Sequence, residues 1–585
     1  MKKMKACLKN NLYGVLTAVL TALFFIVGFF TLGSFSTTGE SYYLVEDTTA
    51  VFELEYKPGQ THIKEIYVNL GAVYADKDDE VEISIKTSNS TTSSSSWIQV
   101  AWLPVTQAGM NEEGLFNWTA VATDLSKNVD VCRVSVSLTA TAELNEIVLI
   151  ANDGEKIQLK VAEYGNTGSD EDVKKVANAF DSQKSFTKKS GGYYRFTKEE
   201  GAYLSYLRNL ALGSYYDGEA ETVYSFAEDF GAVAVMAFAP SVAIFGESVF
   251  ALRLPSLLAT TLTLIFLASF VDLLFKDKKY AFFSVCLLVV GGVAVSASRL
   301  GAPYSLVACA IVGAAYFAYK FFAKGISSNR IFLDGANVLL ASLLCAIAVS
   351  MEGVAIFPAL GVFGVLALGV IRQKKAHDYA LEKAESVEDE EDKKTLRRNE
   401  NIAYSKKQRF VFGSVALGFG VSYFFLIFLS TILCHNAYAR VYDEQVGLWI
   451  AILGNVSAGF KADALSKLMQ DGNSLAWFLP IVNVKDNLSL LSVLNVIVAS
   501  VAFISLAYCT VIVVKNRKAT DKINKRVNRI YGVLLVGAVL VAVSALVKGV
   551  GGLAGSLAFY AFYYGFILLA FYCLSERSKL LEKEV

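Results

Sequence analysis

The chain has 585 residues, of which 54% are hydrophobic and only 18% are charged. Because about a quarter of the residues of a soluble domain are charged, this composition argues against a soluble enzyme and indicates a multi-pass membrane protein. The 54 basic and 54 acidic side chains cancel. No overall positive field therefore attracts nucleic acid, and we expect no nucleic-acid partner.

Residues 1–33 are predicted to form a cytoplasmic N-terminus and the first transmembrane helix. Four lysines and no acid precede an apolar run, Leu12 to Leu32, that is long enough to cross about 30 Å of hydrocarbon. No small-residue cleavage site is obvious after this run, so we interpret it as a retained span.

Residues 40–165 are predicted to form an extracytoplasmic β-sandwich. Apolar and polar residues alternate in short runs such as Val51–Tyr56, Val81–Ile85 and Val134–Leu138, and turn-forming segments separate the runs. In pattern the region resembles jelly-roll, sugar-binding modules of the discoidin type. Its tryptophans either stack on a sugar or pack in the core, and core packing is preferred; they are Trp97, Trp102 and Trp118.

Residues 166–249 are predicted to contain a linker and two juxtamembrane helices. Thr197 and Glu200 have the spacing of a capping box, and the helix that follows, Gly201 to Leu212, is amphipathic and expected on the membrane surface. The second helix, Gly231 to Phe245, follows the acidic pair Glu228 and Asp229. It is short for a span, so we expect it to lie along or dip into the outer face.

The later apolar segments place most Lys- and Arg-rich loops on one side, which predicts cytoplasmic termini and an outer β domain by the positive-inside rule. Spans 2–6 occupy residues 250–371, a charged cytoplasmic loop occupies 372–409, and spans 7–10 occupy 410–574 with an outer loop at 435–487 and a tail at 575–585. A bacterial plasma membrane is favoured, and an endoplasmic reticulum location stays open. The ten predicted spans are residues 12–32, 250–274, 281–298, 303–323, 331–350, 353–371, 410–434, 488–514, 530–548 and 553–574.

The titratable residues gather at the outer surface, and few charges lie deep in the spans, which disfavours an ion-coupled transporter. A carboxylate above the membrane can take a proton from an acceptor hydroxyl while an arginine stabilises a departing lipid phosphate. The candidates are Glu199, Glu200, Glu228, Asp229, Arg253, Arg299, Glu352 and His435. No Cys/His cluster predicts a metal site.

Three segments resemble the membrane glycosyltransferases of the C superfamily (GT-C), in the protein O-mannosyltransferase and aminoarabinose transferase group (family 39 type). Ile244–Ser256 is similar to the group's "FG-x-S-x-x-x-x-RLPS" segment. Ser298–Ser305 resembles its second outer loop, and Glu352–Pro358 resembles its "KGP…P" segment. The resemblance implies a GT-C bundle and a polyprenyl-phosphate sugar as donor.

The resemblance also implies roles for individual residues. Glu199 or Glu200 corresponds to the catalytic base that opens the surface helix. Arg253 and Arg299 are our candidates, on chemical grounds, for the cations that bind the lipid phosphate. The remaining candidates, which bind the acceptor, the donor or a divalent metal ion, are Glu228, Asp229, His435 and Glu352.

The chain departs from the family pattern at three places. The prolines and the basic residue expected near residues 228–232 are absent, Tyr304 stands where the second loop usually has an acid, and Glu352 replaces the lysine of "KGP". These departures bear on donor identity and on activity itself.

We therefore predict an inverting membrane glycosyltransferase that moves a sugar from a polyprenyl phosphate to an extracytoplasmic protein, lipid or cell-wall glycan. The alternative is a non-catalytic membrane scaffold with a transferase-like bundle, whose outer β domain binds a glycan or a partner protein.

Overall fold

A computed structural model provides the structure of the chain. It describes residues 2–36, 42–44, 49–54, 63–74, 81–88, 97–106, 109–110, 115–121, 131–139, 141–164, 186–189, 192–197, 200–201, 203–204, 207–208, 232–327, 330–386, 389–433, 452–453, 490–515, 521–548 and 557–584.

In the described part of the chain, the first helix, α1 (Lys2–Phe30), is followed by eleven strands. These are β1 (Tyr42–Leu44), β2 (Thr49–Leu54), β3 (Ile63–Tyr74), β4 (Val81–Ser88), β5 (Ile98–Thr106), β6 (Gly109–Met110), β7 (Trp118–Val121), β8 (Arg133–Leu138), β9 (Thr141–Ala151), β10 (Lys156–Ile157) and β11 (Leu159–Tyr164).

Apart from a short helix that follows the β domain and is described below, the remaining described helices form the bundle with α1. They are α2 (Ala232–Phe245), α3 (Val249–Phe275), α4 (Lys278–Val290), α5 (Val293–Ser298), α6 (Tyr304–Lys324), α7 (Ile331–Met351), α8 (Ile356–Glu385), α9 (Glu390–Val415), α10 (Ser422–Leu433), α11 (Leu490–Lys515), α12 (Lys522–Lys548), α13 (Leu557–Tyr563) and α14 (Gly565–Glu584). A 3₁₀ turn, Gly353–Ala355, precedes α8, and a π-helical turn, Ala416–Val421, joins α9 to α10.

The strands form two antiparallel sheets, as the alternating sequence pattern predicted. One sheet has the order β1-β9-β3-β7, with β10 also paired to β9, and the other has the order β11-β2-β8-β4-β5-β6. Phe52 and Val134 are register partners, and both are fully buried together with Ile66 and Ile85. Burial of one face of each sheet explains the period of two.

One of the described tryptophans, Trp118, packs in the core, which is the preferred alternative. Trp118 is only 6% exposed and packs against Val148, Ile150 and Phe186. Trp97 lies 6.0 Å from the guanidinium of Arg133. The side chain of Trp102 is outside the described set.

Nine helical segments in the described part of the chain are long and apolar enough to cross a membrane. Together with the two sheets they confirm the predicted fold class, a polytopic helical membrane protein with an inserted β domain. The apolar segments rich in Leu, Val, Ile and Phe form helices because a chain in hydrocarbon must satisfy its backbone hydrogen bonds within itself.

The third predicted span, residues 281–298, is two helices rather than one. Helices α4 and α5 meet at Gly291 and Gly292, and Gly292 has a φ of 76°, a conformation that favours glycine. At one end Lys278 donates to the side chain of Asn11, and at the other Arg299 donates to the Thr31 hydroxyl at 2.7 Å. The broken helix therefore follows α1 from end to end, parallel to it.

These contacts define two ends of the bundle. Asn11, Lys278 and the C-terminal ends of α3 and α6 lie at one end, which we call the basic end because Arg372 and Arg526 donate to carbonyls there. The opposite end carries Leu32, Arg299 and the β domain, and we call it the β-domain end.

A short helix joins the β domain to the bundle, and we call it the junction helix. Its described helical residues are 200, 201, 203, 204, 207 and 208. Leu204 and Leu207 are fully buried, and the Tyr203 ring lies 5.3 Å from Phe238 of α2. Protein therefore covers the apolar side of the helix at these residues. Its location at the membrane surface stays a prediction.

Candidate functional site at the β-domain end

A buried ion pair between Arg253 and Glu200 lies at the centre of the β-domain end. Arg253, in the second turn of α3, donates from Nε to Glu200 Oε1 at 2.7 Å and from Nη2 to Oε2 at 2.6 Å. Arg253 is 3% exposed and Glu200 is fully buried. This two-point geometry suits the planar guanidinium group and fixes the junction helix on α3.

The rest of the guanidinium binds backbone carbonyls from two other segments. Its Nη1 donates to Leu32 at the end of α1, at 3.3 Å, and to Gly192. Its Nη2 also donates to Arg195 at 3.1 Å. Arg253 therefore holds together α1, the loop at 192–196 and the junction helix.

The Glu200 carboxylate has four donors, two on each oxygen. Besides Arg253, the backbone N–H of Gly301 reaches Oε1 at 2.7 Å and that of Thr197 reaches Oε2 at 2.8 Å. Glu200 donates in turn from its own N–H to the Thr197 hydroxyl at 3.2 Å, which confirms the predicted capping box. Four hydrogen bonds satisfy the carboxylate within the protein.

The Arg-Leu-Pro-Ser segment, residues 253–256, positions this pair through its other residues. Pro255 has no N–H, so the carbonyl of Ala251 has no helical partner, and the Ser241 hydroxyl of α2 donates to it at 2.6 Å. The Ser256 hydroxyl donates to the Ala302 carbonyl at 3.3 Å. The segment thus fixes both α2 and the loop after α5.

Gly301 completes the arrangement because it allows a close approach of two backbones. A Cβ atom at this position would lie 2.5 Å from Leu252 Cγ and 3.1 Å from the Leu252 carbonyl oxygen. Any larger residue would move the loop away from α3 and with it the N–H that binds Glu200.

Arg299, unlike Arg253, is exposed. It follows α5 and donates to Thr31 at 2.7 Å, and its guanidinium lies close enough to Arg253 for the two positive charges to interact. Within the described part of the chain it forms no ion pair, so an anion at the β-domain end can reach it.

Glu352 lines a small cavity on another side of the same end. The residue is 8% exposed and lies between α7 and the 3₁₀ turn. The cavity encloses about 450 Å³, including its open mouth, and Tyr304, three residues after Gly301, also lines it together with Pro358 and Ser544. Two of the three places at which the chain departs from the family pattern, Tyr304 and Glu352, therefore share one cavity.

Four of the predicted site residues lie outside the described part of the chain: Glu199, Glu228, Asp229 and His435. The structure brings Glu200, Arg253 and Arg299 together, with Glu352 near the start of α6. Among the residues described, no group of three or more His, Cys, Asp or Glu side chains suits a metal ion.

Sequence reasoning missed two polar contacts that join the β domain to this site. Arg208 of the junction helix lies 2.7 Å from Glu247 and 5.6 Å from the Phe116 ring. Asn117 accepts from the N–H of Phe196 and donates to its carbonyl, both at 2.8 Å. The only sign of these contacts in the sequence is that Arg208 and Asn117 are polar residues next to apolar ones.

The fold and this end of the bundle define a multi-pass membrane protein with a charged site between a helical bundle and a β domain. Residues 233–378 match the family model of dolichyl-phosphate-mannose-protein mannosyltransferases. The match supports the predicted resemblance to GT-C membrane glycosyltransferases and includes Arg253, Arg299 and Glu352. No curated protein and no solved structure shows significant similarity to this chain.

Proposed function

We propose that the chain transfers a sugar from a polyprenyl-phosphate donor to an acceptor at the β-domain end. The family-model match over residues 233–378 is the observation that carries this proposal. Two further features support it. Arg299 is exposed at this end, where it can bind a lipid phosphate, and the cavity lined by Glu352 lies on another side of the same end.

The contacts favour different roles for the two neighbouring glutamates. Glu200 is buried and its oxygens already accept four hydrogen bonds, so it serves as a positioning residue with Arg253. We assign the role of base to Glu199, the adjacent residue, and that of phosphate ligand to Arg299. Glu352 would contact the donor through its cavity.

In the proposed reaction Glu199 removes a proton from an acceptor hydroxyl. The acceptor oxygen attacks the anomeric carbon of the sugar, and the bond from that carbon to the phosphate oxygen breaks with inversion. The polyprenyl phosphate leaves with both bonding electrons, and Arg299 stabilises its charge. Glu228, Asp229 and His435 remain candidates for binding the acceptor or a divalent ion.

We propose that the protein lies in the plasma membrane, with the basic end and both termini on the cytoplasmic side. Lys and Arg residues accumulate on the cytoplasmic side of membrane proteins. The β domain and the acceptor would then be extracytoplasmic.

The test is release of polyprenyl phosphate from a panel of labelled polyprenyl-phosphate sugars by the full-length protein in lipid nanodiscs. We expect release by the wild type and a loss of at least about 100-fold in the Glu199→Gln variant, the range for a general base. The Glu382→Gln variant, which changes an exposed glutamate of α8, serves as the matched control.

Equal release by Glu199→Gln and the wild type would contradict the assignment of the base. No release with any donor, from a folded sample given acceptors and divalent metals, would contradict the enzyme itself.

The alternative function is a transferase-like scaffold whose β domain binds a glycan or a partner protein. One observation favours it: Glu352 puts a negative charge in the cavity at the position where the family pattern has a lysine, and a phosphate would be repelled there. Binding of cell-wall polysaccharide by the full-length protein, without release from any donor, would support this alternative.

A further inference from the structure

An apolar groove runs between α4 and α14, on the opposite side of the membrane from the candidate site. It encloses about 930 Å³, including the part open at its surface. Phe283 and Val290 of α4 and Phe571 of α14 are each about half exposed or more. The lining residues are Lys279, Tyr280, Phe283, Cys286, Leu287, Val290, Ile567, Leu568, Phe571 and Ser575.

The groove is as long as one leaflet of a bilayer. Lys279 and Val290, its limits on α4, are separated by roughly 16 Å at the helical rise of 1.5 Å per residue. Half of the hydrocarbon thickness is about 15 Å.

The end of the groove follows from the break in the span. Helix α4 stops at Val290, and a Cβ on Gly291 would lie 2.8 Å from the Leu287 carbonyl and 3.3 Å from the Tyr564 ring. The chain therefore turns tightly against Tyr564, just before α14, and Val290 is the last residue of α4 that lines the groove.

The polar groups of the groove are confined to its other limit. Lys279 and Ser575 lie at the basic end, and the Lys279 ammonium is 4.9 Å from the Tyr280 ring and 3.3 Å from Asp277. Lys276 and Lys278 flank Asp277 in the sequence, so this segment has three lysines and one acid. Every lining residue farther into the membrane is apolar apart from Cys286.

A second cation lies behind the same aromatic residues. The Tyr280 ring is 6.0 Å from Tyr572, and the guanidinium of Arg526 lies 5.3 Å from Tyr572. In the described part of the chain Arg526 forms no ion pair with a carboxylate. The basic end of the groove therefore carries excess positive charge at the level of lipid head groups.

We propose that this groove binds one acyl chain of an anionic phospholipid from the leaflet at the basic end, with the lipid phosphate at Lys279. The length of the groove fits a chain from a single leaflet, and the position of its charges fits an anionic head group. Because Arg299 and Glu352 lie at the other end, this lipid is distinct from the proposed sugar donor.

The experiment measures lipid that stays bound to the full-length protein in detergent, by native mass spectrometry after exchange into equal amounts of phosphatidylglycerol and phosphatidylcholine. Val290→Trp fills the inner end of the groove, and Val536→Trp is its control because both valines are 52% exposed. Lys279→Gln removes the head-group cation, and Lys374→Gln removes an exposed lysine of α8 as its control.

We expect one retained phosphatidylglycerol in the wild type and in both controls. Retention should fall about fivefold in Lys279→Gln, the effect of one interfacial cation, and further in Val290→Trp. Equal retention in all five proteins would mean annular lipid only and would overturn the proposal. Equal binding of phosphatidylglycerol and phosphatidylcholine by the wild type would contradict the proposal that the bound lipid has an anionic head group.

Discussion

The two ends of the helical bundle use charged residues in different ways. At the β-domain end Arg253 and Arg208 lie within 2.7 Å of the carboxylates Glu200 and Glu247, and both arginines are buried. At the basic end Arg372 and Arg526 donate to carbonyls at the ends of α6 and α3. Neither forms an ion pair with a carboxylate in the part of the chain that the structure describes.

The difference follows from what each end has to do. A buried, fully hydrogen-bonded pair fixes the relative positions of distant segments, since displacing either partner leaves a charge without compensation. Arginines that donate to the C-terminal carbonyls of helices complement the helix dipole, and they are enriched at the membrane interface. The first arrangement fixes the segments around the candidate site, and the second gathers positive charge at the opposite end of the bundle.

Removing one partner of the buried pair should have the largest effect. We expect Arg253→Met to lower the free energy of unfolding by about 3–5 kcal/mol, because the Glu200 charge stays buried without its partner. Thermal unfolding of the protein in detergent measures the loss.

The double variant Glu200→Leu/Arg253→Met is the control for this interpretation. With both charges gone it should be less destabilised than Arg253→Met alone, although the N–H groups of Gly301 and Thr197 lose their acceptor. A double variant as unstable as the sum of its single changes would show that the pair is not coupled.

Arg299→Gln should separate activity from stability at the same end. Loss of a charge-assisted hydrogen bond to the donor phosphate is worth about 1.5–3 kcal/mol, which corresponds to a rise in the donor KM of roughly 10- to 100-fold. The melting temperature should hardly change because Arg299 is exposed and bonds only Thr31 among the described residues. Unchanged KM with a lowered melting temperature would instead make Arg299 a structural residue like Arg253.

Much of the fold was predictable because its signals are local. Alternation over Val81–Ile85 and Val134–Leu138 predicted strands that now pair as β4 and β8. Thr197 and Glu200 predicted a capping box from a spacing of three residues. The break in the third predicted span was missed, since hydropathy averaged over a window does not register the turn at Gly291 and Gly292.

The candidate site was less predictable because its contacts are distant in sequence. Glu200 and Arg253 were both selected, yet as base and phosphate ligand, whereas they bind each other across 53 residues. Gly301 attracted no notice, although its N–H completes the carboxylate's hydrogen bonds. Such pairings depend on how α3, α5 and the junction helix pack, and periodicity does not encode this.

Arg372→Gln should show how little a single charge contributes at the basic end. Its Nη1 donates to the carbonyls of Phe322 and Ala323 at 2.9 and 3.2 Å. Loss of this cap should cost no more than about 1 kcal/mol in thermal unfolding. Lys375→Gln, an exposed neighbour on α8, controls for net charge. A loss as large as that of Arg253→Met would contradict the distinction between the two ends.

The smallest effect should come from an exposed pair within the β domain, which tests whether burial rather than charge decides the magnitude. Hydrogen bonds from Lys188 and then Tyr67 lower the pKa of the Glu65 carboxyl. Since the folded pKa lies below the ordinary value of 4.5, the pair stabilises the fold above that pH. The stabilisation is lost as the pH falls through the lowered pKa.

Melting temperatures of the wild type and Glu65→Gln, with the exposed Glu155→Gln as control, test this pH dependence. At pH 7 the free energy of unfolding derived from these melting temperatures should be a few tenths of a kcal/mol larger for the wild type than for Glu65→Gln, the range for exposed ion pairs. That gap should close once the pH is below the folded pKa. A difference above about 2 kcal/mol at pH 7 would show that this exposed pair stabilises the fold almost as much as the buried pair of Glu200 and Arg253. Burial would then no longer explain the difference between the two ends.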